Sequence, residues 1–239
     1  YRATGNTSQL KIAKNTLTYI RDHFIDQSGD LYRAMYNNQL NDIPAKGADY
    51  VMVCQAALDM HEVTLDPEWL EFAHEIHTKM NQRLKNHETG FIAEYDGTGY
   101  PRDYPTYAYY TLYGIDNDNT WAIANSNAKR LSLRLTDESL TEQANQLDGI
   151  MLRTAQISAP ASIDYLSRES IARSTRVYLK RPISEPLFAI ARSKPCQIIA
   201  VSDSDSYPGL GLEPAEMKAG TAAVILGDKK IGTAASPKE

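Results

Sequence analysis

Residues 47–84, GADYVMVCQAALDMHEVTLDPEWLEFAHEIHTKMNQRL, constrain the fold more than any other stretch of the chain. From Asp49 to about Val63 the residues are apolar on nearly every helical face: Tyr50, Val51, Met52, Val53, Cys54, Ala56, Ala57, Leu58 and Met60. A helix with apolar residues all round is expected to be buried all round. The next helix announces its start, with Asp66 as N-cap, Pro67 at the first helical position and Glu68 in the first turn. Its apolar residues Trp69, Leu70, Phe72, Ala73, Ile76, Met80 and Leu84 fall in one stripe at helical spacing. A buried helix is thus followed by a one-sided helix lying over it.

The remaining chain repeats this alternation. Asn6 to Ile25 reads as an amphipathic helix, with Leu10, Ala13, Leu17, Ile20 and Phe24 on one face. Leu31 to Tyr36 has strand propensity and is followed by turn residues. Asn119 to Leu135 is a second largely apolar helix, and 137–157 a second amphipathic one that Thr136 can cap. Pro160 breaks the chain, and 161–179 is expected to be helical again. Beyond Pro182 and Pro186 the character changes. Gln197–Val201 is an apolar β run, Glu213–Ala219 at most a short helix, and Thr221–Leu226 with Lys230–Ala234 a hairpin about Gly227-Asp228. The expected fold is mainly α: a partial (α/α) toroid of helical hairpins with short β insertions over residues 1–182, then a small α/β element over 183–239.

Composition narrows the function classes. A chain of 239 residues with 42% hydrophobic and 23% charged residues is ordinary for a soluble globular protein. A formal charge of −5 and the lack of any basic run argue against nucleic acid. No apolar stretch of about 18 residues exists, so no membrane span is expected. Cys54 and Cys196 lack metal or redox spacing and suggest a reducing, cytoplasmic setting. The chain opens at Tyr1 without Met or a signal-peptide pattern, as a fragment or processed product would. Asn6-Thr7-Ser8 matches a glycosylation sequon by spacing alone. P-loop, dinucleotide-binding and GxSxG signatures are absent, and no cofactor is called for.

Several short motifs resemble one family. Gly29-Asp30-Leu31-Tyr32-Arg33 is similar to its G-x-L-x-R after an outer helix, and Asp49-Tyr50 to its D-Y-A opening an inner helix. Asp66-Pro67-Glu68-Trp69-Leu70 looks like its turn into the next outer helix, and Glu88-Thr89-Gly90-Phe91 like its E-x-G-G-F. Asp118, with Asn125-Ser126 seven residues on, and Arg134-Leu135 fit its best functional landmark. The family is that of the spermatogenesis-associated thioredoxin-like protein, with an N-terminal thioredoxin-like domain and a C-terminal six-hairpin-glycosidase-like α/α barrel. The resemblance covers roughly residues 1–165. It implies that a thioredoxin-like domain and the first barrel hairpins lie upstream in the same chain.

The resemblance also nominates a site at one end of the inner helices. Asp49 and Asp118 are its candidate catalytic carboxylates, able to act as acid and base at a glycosidic bond if they stand about 5–10 Å apart. Arg33, Tyr50, Tyr107, Tyr110, Trp121 and Asn125 are the candidate ligand-binding residues. Tyr107 and Tyr110 belong to a connection, 86–118, that holds seven tyrosines, and aromatic faces suit sugar rings. Each carboxylate equally suits a helix N-terminus, the tyrosines equally suit loop packing, and Arg33 can simply pair with an acid. His61 is the one histidine of an inner helix, too few for epimerase chemistry. Glu71, His74 and His77 share a helical face but lack the HExxH spacing of zinc proteases, and no metal site is assigned. Ala122-Ile123-Ala124 stands where the family has Pro-Ser-Gly. That departure favours a non-catalytic or degenerate domain acting as scaffold or binding module. The alternative is a carbohydrate-active domain using the paired carboxylates.

Overall fold

A computed structural model of the chain describes residues 1–41, 43–85, 92, 118–135, 137–157, 175–203, 205, 213–226 and 229–236. The chain divides into two compact units. One comprises Lys11–His61 and Asp66–Glu169; the other comprises Tyr1–Leu10, Glu62–Leu65 and Ser170–Glu239.

The first unit is helical. Helix α1 (Thr7–His23) enters it, followed by a hairpin of β1 (Met35–Tyr36) and β2 (Gln39–Leu40). Helices α2 (Gly47–Thr64), α3 (Pro67–Leu84), α4 (Asp118–Ser132) and α5 (Glu138–Ile157) follow. The hairpin turns on Asn37 and Asn38, whose φ values of 49° and 59° are the left-handed pair that a two-residue primed turn requires. Its strands are shorter than the β propensity of 31–36 suggests. Leu31 and Tyr32 make only isolated bridges, to Ile25 and Pro44.

Helix α3 starts as its sequence demands. Asp66 has extended backbone and its Oδ1 accepts the Glu68 N–H at 3.2 Å, with Pro67 at the first helical position. Trp69, Phe72, Ala73, Ile76, Met80 and Leu84 of the predicted stripe are all buried. From α1, the Arg21 guanidinium lies 5.2 Å from the Trp69 ring centroid. Helix α2 departs from the expectation of burial all round. Tyr50, Val51, Cys54, Ala57 and Leu58 are buried, but Met52, Ala56 and Asp59 are exposed, and Met52 keeps 55% of its surface. Positions 52, 56 and 59 form one helical stripe, so α2 keeps a face toward solvent although its composition is apolar throughout.

The second unit is built on a four-stranded mixed sheet. Strand β3 (Thr175–Lys180) leads through helix α6 (Glu185–Arg192) to β4 (Gln197–Val201), which pairs parallel to β3. After a 3₁₀ turn at Pro214–Glu216, β5 (Ala222–Leu226) returns antiparallel to β3. Strand β6 (Lys229–Ala234) then pairs antiparallel to β5, giving the order β4-β3-β5-β6. A parallel pair needs a crossover, and α6 supplies it by burying Leu187, Phe188 and Ala191 against Val177, Leu179, Ile198 and Ala222. The opposite face of β3 carries Arg176, Tyr178 and Lys180, which are also buried.

These elements overturn the helical-toroid expectation. Among the described residues, six α-helices stand with a hairpin and a four-stranded mixed sheet, so the fold is mixed α/β. The expected helix over 161–179 is wrong in its last residues, because 175–180 is a central strand. The cause is physical. Both faces of β3 are buried, so its outward and inward residues do not separate into solvent-facing polar and core-facing apolar sets.

The N-cap of α3 is directly testable. Asp66→Ala is expected to lower the stability of the chain by about 1 kcal/mol, read as a lower urea midpoint at unchanged slope.

Candidate functional site

Among the nominated side chains, Asp49 makes two close contacts through one oxygen. Lys46 stands before the first helical residue of α2, and its backbone N–H donates to Asp49 Oδ2 at 2.8 Å. The carboxylate three residues into the helix thus reaches back to the N-cap amide, the acidic half of a capping box. The same oxygen receives Arg33 Nε at 2.9 Å. Arg33, just before β1, therefore fastens that segment to the start of α2, and its own N–H bonds to the Ile43 carbonyl at 3.1 Å. Tyr50, next along α2, is fully buried. Its hydroxyl accepts the Leu31 N–H at 3.2 Å. Burial raises its pKa above the ordinary tyrosine value. Arg33 and Asp49 are thus brought together, while the Tyr50 hydroxyl meets the Leu31 amide and the Arg83 guanidinium.

Trp121 and Asn125 lie on α4. The Trp121 indole N–H donates to the Ile92 carbonyl at 2.8 Å, and the ring is 4% exposed. The Asn125 amide donates to the Ala144 carbonyl and to Asp148 Oδ1 of α5, each at 2.9 Å. Lys129, one turn on, meets the same Asp148 oxygen at 2.8 Å. Asp118 is the first residue of α4. Its side chain, and Tyr107 and Tyr110 entirely, lie outside the described residues. His61, the inner-helix histidine, sets Nδ1 2.9 Å from the Asp66 carbonyl. Glu71, His74 and His77 do not converge: His74 faces Asp137 at 3.8 Å, while His77 turns to Gln143. Among the described residues, no group of three His, Cys, Asp or Glu side chains is placed to hold a metal ion. Both cysteines are unlinked and buried, and burial pushes the Cys54 thiol up to about 12.

Sequence reasoning missed the polar residues that join the helices. Gln143 of α5 is buried; its Oε1 faces His77 Nε2 at 2.9 Å and accepts the Asn81 amide at 2.9 Å. Its own amide donates to Asn81 Oδ1 at 2.8 Å. Asn127 of α4 donates to the Val51 carbonyl of α2 at 2.8 Å, and Arg130 pairs with Asp59 at 2.7 Å. The signal available in sequence was slight: Gln143 and Asn127 each interrupt an otherwise apolar helical face.

No family model matches the chain. The chain is similar to a Caenorhabditis elegans protein described as uncharacterized protein B0495.5, at 29% identity over 197 residues. The match takes in 78% of this chain and 26% of that protein, so the chain spans about a quarter of the relative's length. Among the described residues, no helix is long and apolar enough to cross a membrane.

The His77–Gln143 contact has a pH signature. Because Gln143 Oε1 is an acceptor, His77 donates from Nε2 and its Nδ1 is the bare nitrogen, which has no hydrogen-bond partner among the described residues. Burial pushes the His77 pKa down to about 4. The folded state therefore refuses a proton that the unfolded chain accepts near 6.5. The stability this group contributes is complete above pH 6.5 and falls as pH drops through the window down to about 4. Between pH 7.5 and 5 the loss should be about 2 kcal/mol. Urea unfolding at the two pH values should show it, and His77→Gln should flatten that slope.

Proposed function

We propose that the chain is a non-catalytic scaffold or binding module of a longer cytoplasmic protein, working beside a thioredoxin-like domain in the same polypeptide. The observation that carries this reading is what the nominated residues do with their polar atoms. Asp49 closes a helix N-terminus and grips Arg33, Tyr50 receives a backbone amide, Trp121 donates to a carbonyl, and Asn125 joins two helices. A general acid or base must present an atom to the substrate and exchange a proton there. These groups are engaged in holding the fold together instead. Ala122-Ile123-Ala124, buried where the resembling family has Pro-Ser-Gly, supports the same reading. The motif resemblance supports the thioredoxin-like neighbour, and two buried, unlinked cysteines support a reducing compartment.

Two measurements test it. Asp49→Asn should cost about 1 kcal/mol, since it weakens a cap and a half-exposed ion pair. That lowers the melting temperature by about 3 °C, with neither form binding or cleaving a panel of oligosaccharides. Cleavage by the wild-type chain that Asp49→Asn abolishes without unfolding would overturn the reading. In the second measurement, a thioredoxin-like domain encoded upstream in the native gene should co-purify with the chain when supplied in trans. A chain that ignores it counts against the scaffold role.

A further inference from the structure

A cavity of about 380 Å³ opens in the β-sheet unit, between α6, the loop that follows it, and strands β3, β5 and β6. Its strand side is mostly apolar, with Val177 from β3 and Ala222 and Val224 from β5 beside the hydroxyl-bearing Thr175, Ser236 follows β6, and Leu187 of α6 adds a further apolar side chain. These positions follow from sheet geometry: Val177 is in register with Val224, and Leu179 with Ala222, so alternate residues of the two strands share a face. Cys196, at the foot of the loop, also lines the space. Among the described residues lining the cavity, Lys194 is the one charged side chain. It is exposed and has no ion-pair partner among the described residues.

Such a space is of the size and character of small-molecule sites, which are apolar clefts of a few hundred Å³ with a small number of polar groups at defined points. At about 30 Å³ for each water-sized group, it holds on the order of twelve heavy atoms. An ammonium beside an apolar slot, with no carboxylate among its described lining residues, selects a monoanion with an apolar tail. A phosphate dianion would call for several converging donors, and the lining offers one cation. We propose that this cavity binds a single-chain carboxylate of about ten carbons, tail against Val177, Ala222, Val224 and Leu187, head at Lys194.

Titration calorimetry on the full chain with hexanoate, octanoate, decanoate and dodecanoate, below their micellar concentrations, tests the proposal. Affinity should rise about fourfold for each added methylene and level off once the slot is full, near decanoate. Lys194→Met should weaken decanoate by up to about fivefold, the worth of an exposed ion pair, and leave decanol unchanged. Val224→Trp should fill the slot and abolish binding. Should that variant fail to fold, the wild-type chain supplies an independent readout. Saturating decanoate should slow the modification of Cys196 by methyl methanethiosulfonate, while Cys54, buried elsewhere, serves as the reference. Affinity independent of chain length overturns the proposal. So does unchanged Cys196 reactivity, or an equal loss of decanol and decanoate binding in Lys194→Met. The proposal stands apart from the scaffold reading: a chain that ignores the thioredoxin-like domain yet binds decanoate refutes that reading and keeps this one.

Discussion

The helical unit depends on a small number of buried amides that cannot be removed one at a time. Gln143 is the clearest. Both ends of its side chain are engaged, by the buried His77 and the partly buried Asn81. Replacing any member orphans the others, and an unpaired buried polar group costs about 1–3 kcal/mol. Apolar stripes alone tolerate sliding by a turn because one aliphatic contact is much like the next. Hydrogen bonds with defined donors and acceptors do not tolerate it. Gln143 sets the register of α5 on α3, Asn127 that of α4 on α2, and Asn125 that of α4 on α5.

This explains which parts of the fold were legible in the sequence. Helix α3 was readable to within a residue or two because Asp66 and Pro67 state its start and its apolar stripe has a clean period. Strands β4, β5 and β6 were readable because turn residues bound them. Strand β3 was not. A central strand buried on both faces loses the alternation that marks a strand, and Arg176, Tyr178 and Lys180 beside Val177 and Leu179 imitate a mixed helical surface. The toroid expectation extended one rhythm, apolar helix then amphipathic helix, into a region where the chain builds a sheet. The exposed face of α2 was hidden for the complementary reason: Met52 and Ala56 are apolar residues left at the surface, and composition alone cannot say which apolar residues find a partner.

The candidate site was ambiguous in sequence for a reason the geometry makes explicit. A carboxylate in the first turn of a helix serves equally as a cap or as a reactive group, because both uses exploit the same concentration of N–H donors and positive dipole. What distinguishes them is where the oxygens point. Asp49 Oδ2 faces the Lys46 amide and Arg33, both from its own fold. No pattern in residues 46–49 announces the Arg33 contact, which arrives from a turn of chain folded back through the Arg33–Ile43 backbone bond. Local spacing can nominate a residue, but only the long-range path of the backbone assigns its partner.

The same lesson applies to the sheet unit, where the residue organising the loop after α6 lies at the far end of the sequence. Arg2 sends its guanidinium into that loop, donating to the carbonyls of Arg192 at 3.1 Å and Cys196 at 2.7 Å and to that of Lys194 between them. Its remaining arm meets Glu62 at 3.2 Å, whose side chain is nearly inaccessible. The last carbonyls of a helix have no partner within it, and here a planar fork with several donors at fixed angles satisfies them together with the entry to β4. A lysine, with one ammonium at the end of a flexible stem, cannot span three carbonyls and a carboxylate at once. The loop gripped in this way carries Lys194 and Cys196 into the wall of the cavity. The shape of that wall is therefore set by a residue some 190 positions away, and the exposed ammonium of Lys194 is anchored through its own backbone carbonyl rather than through its side chain.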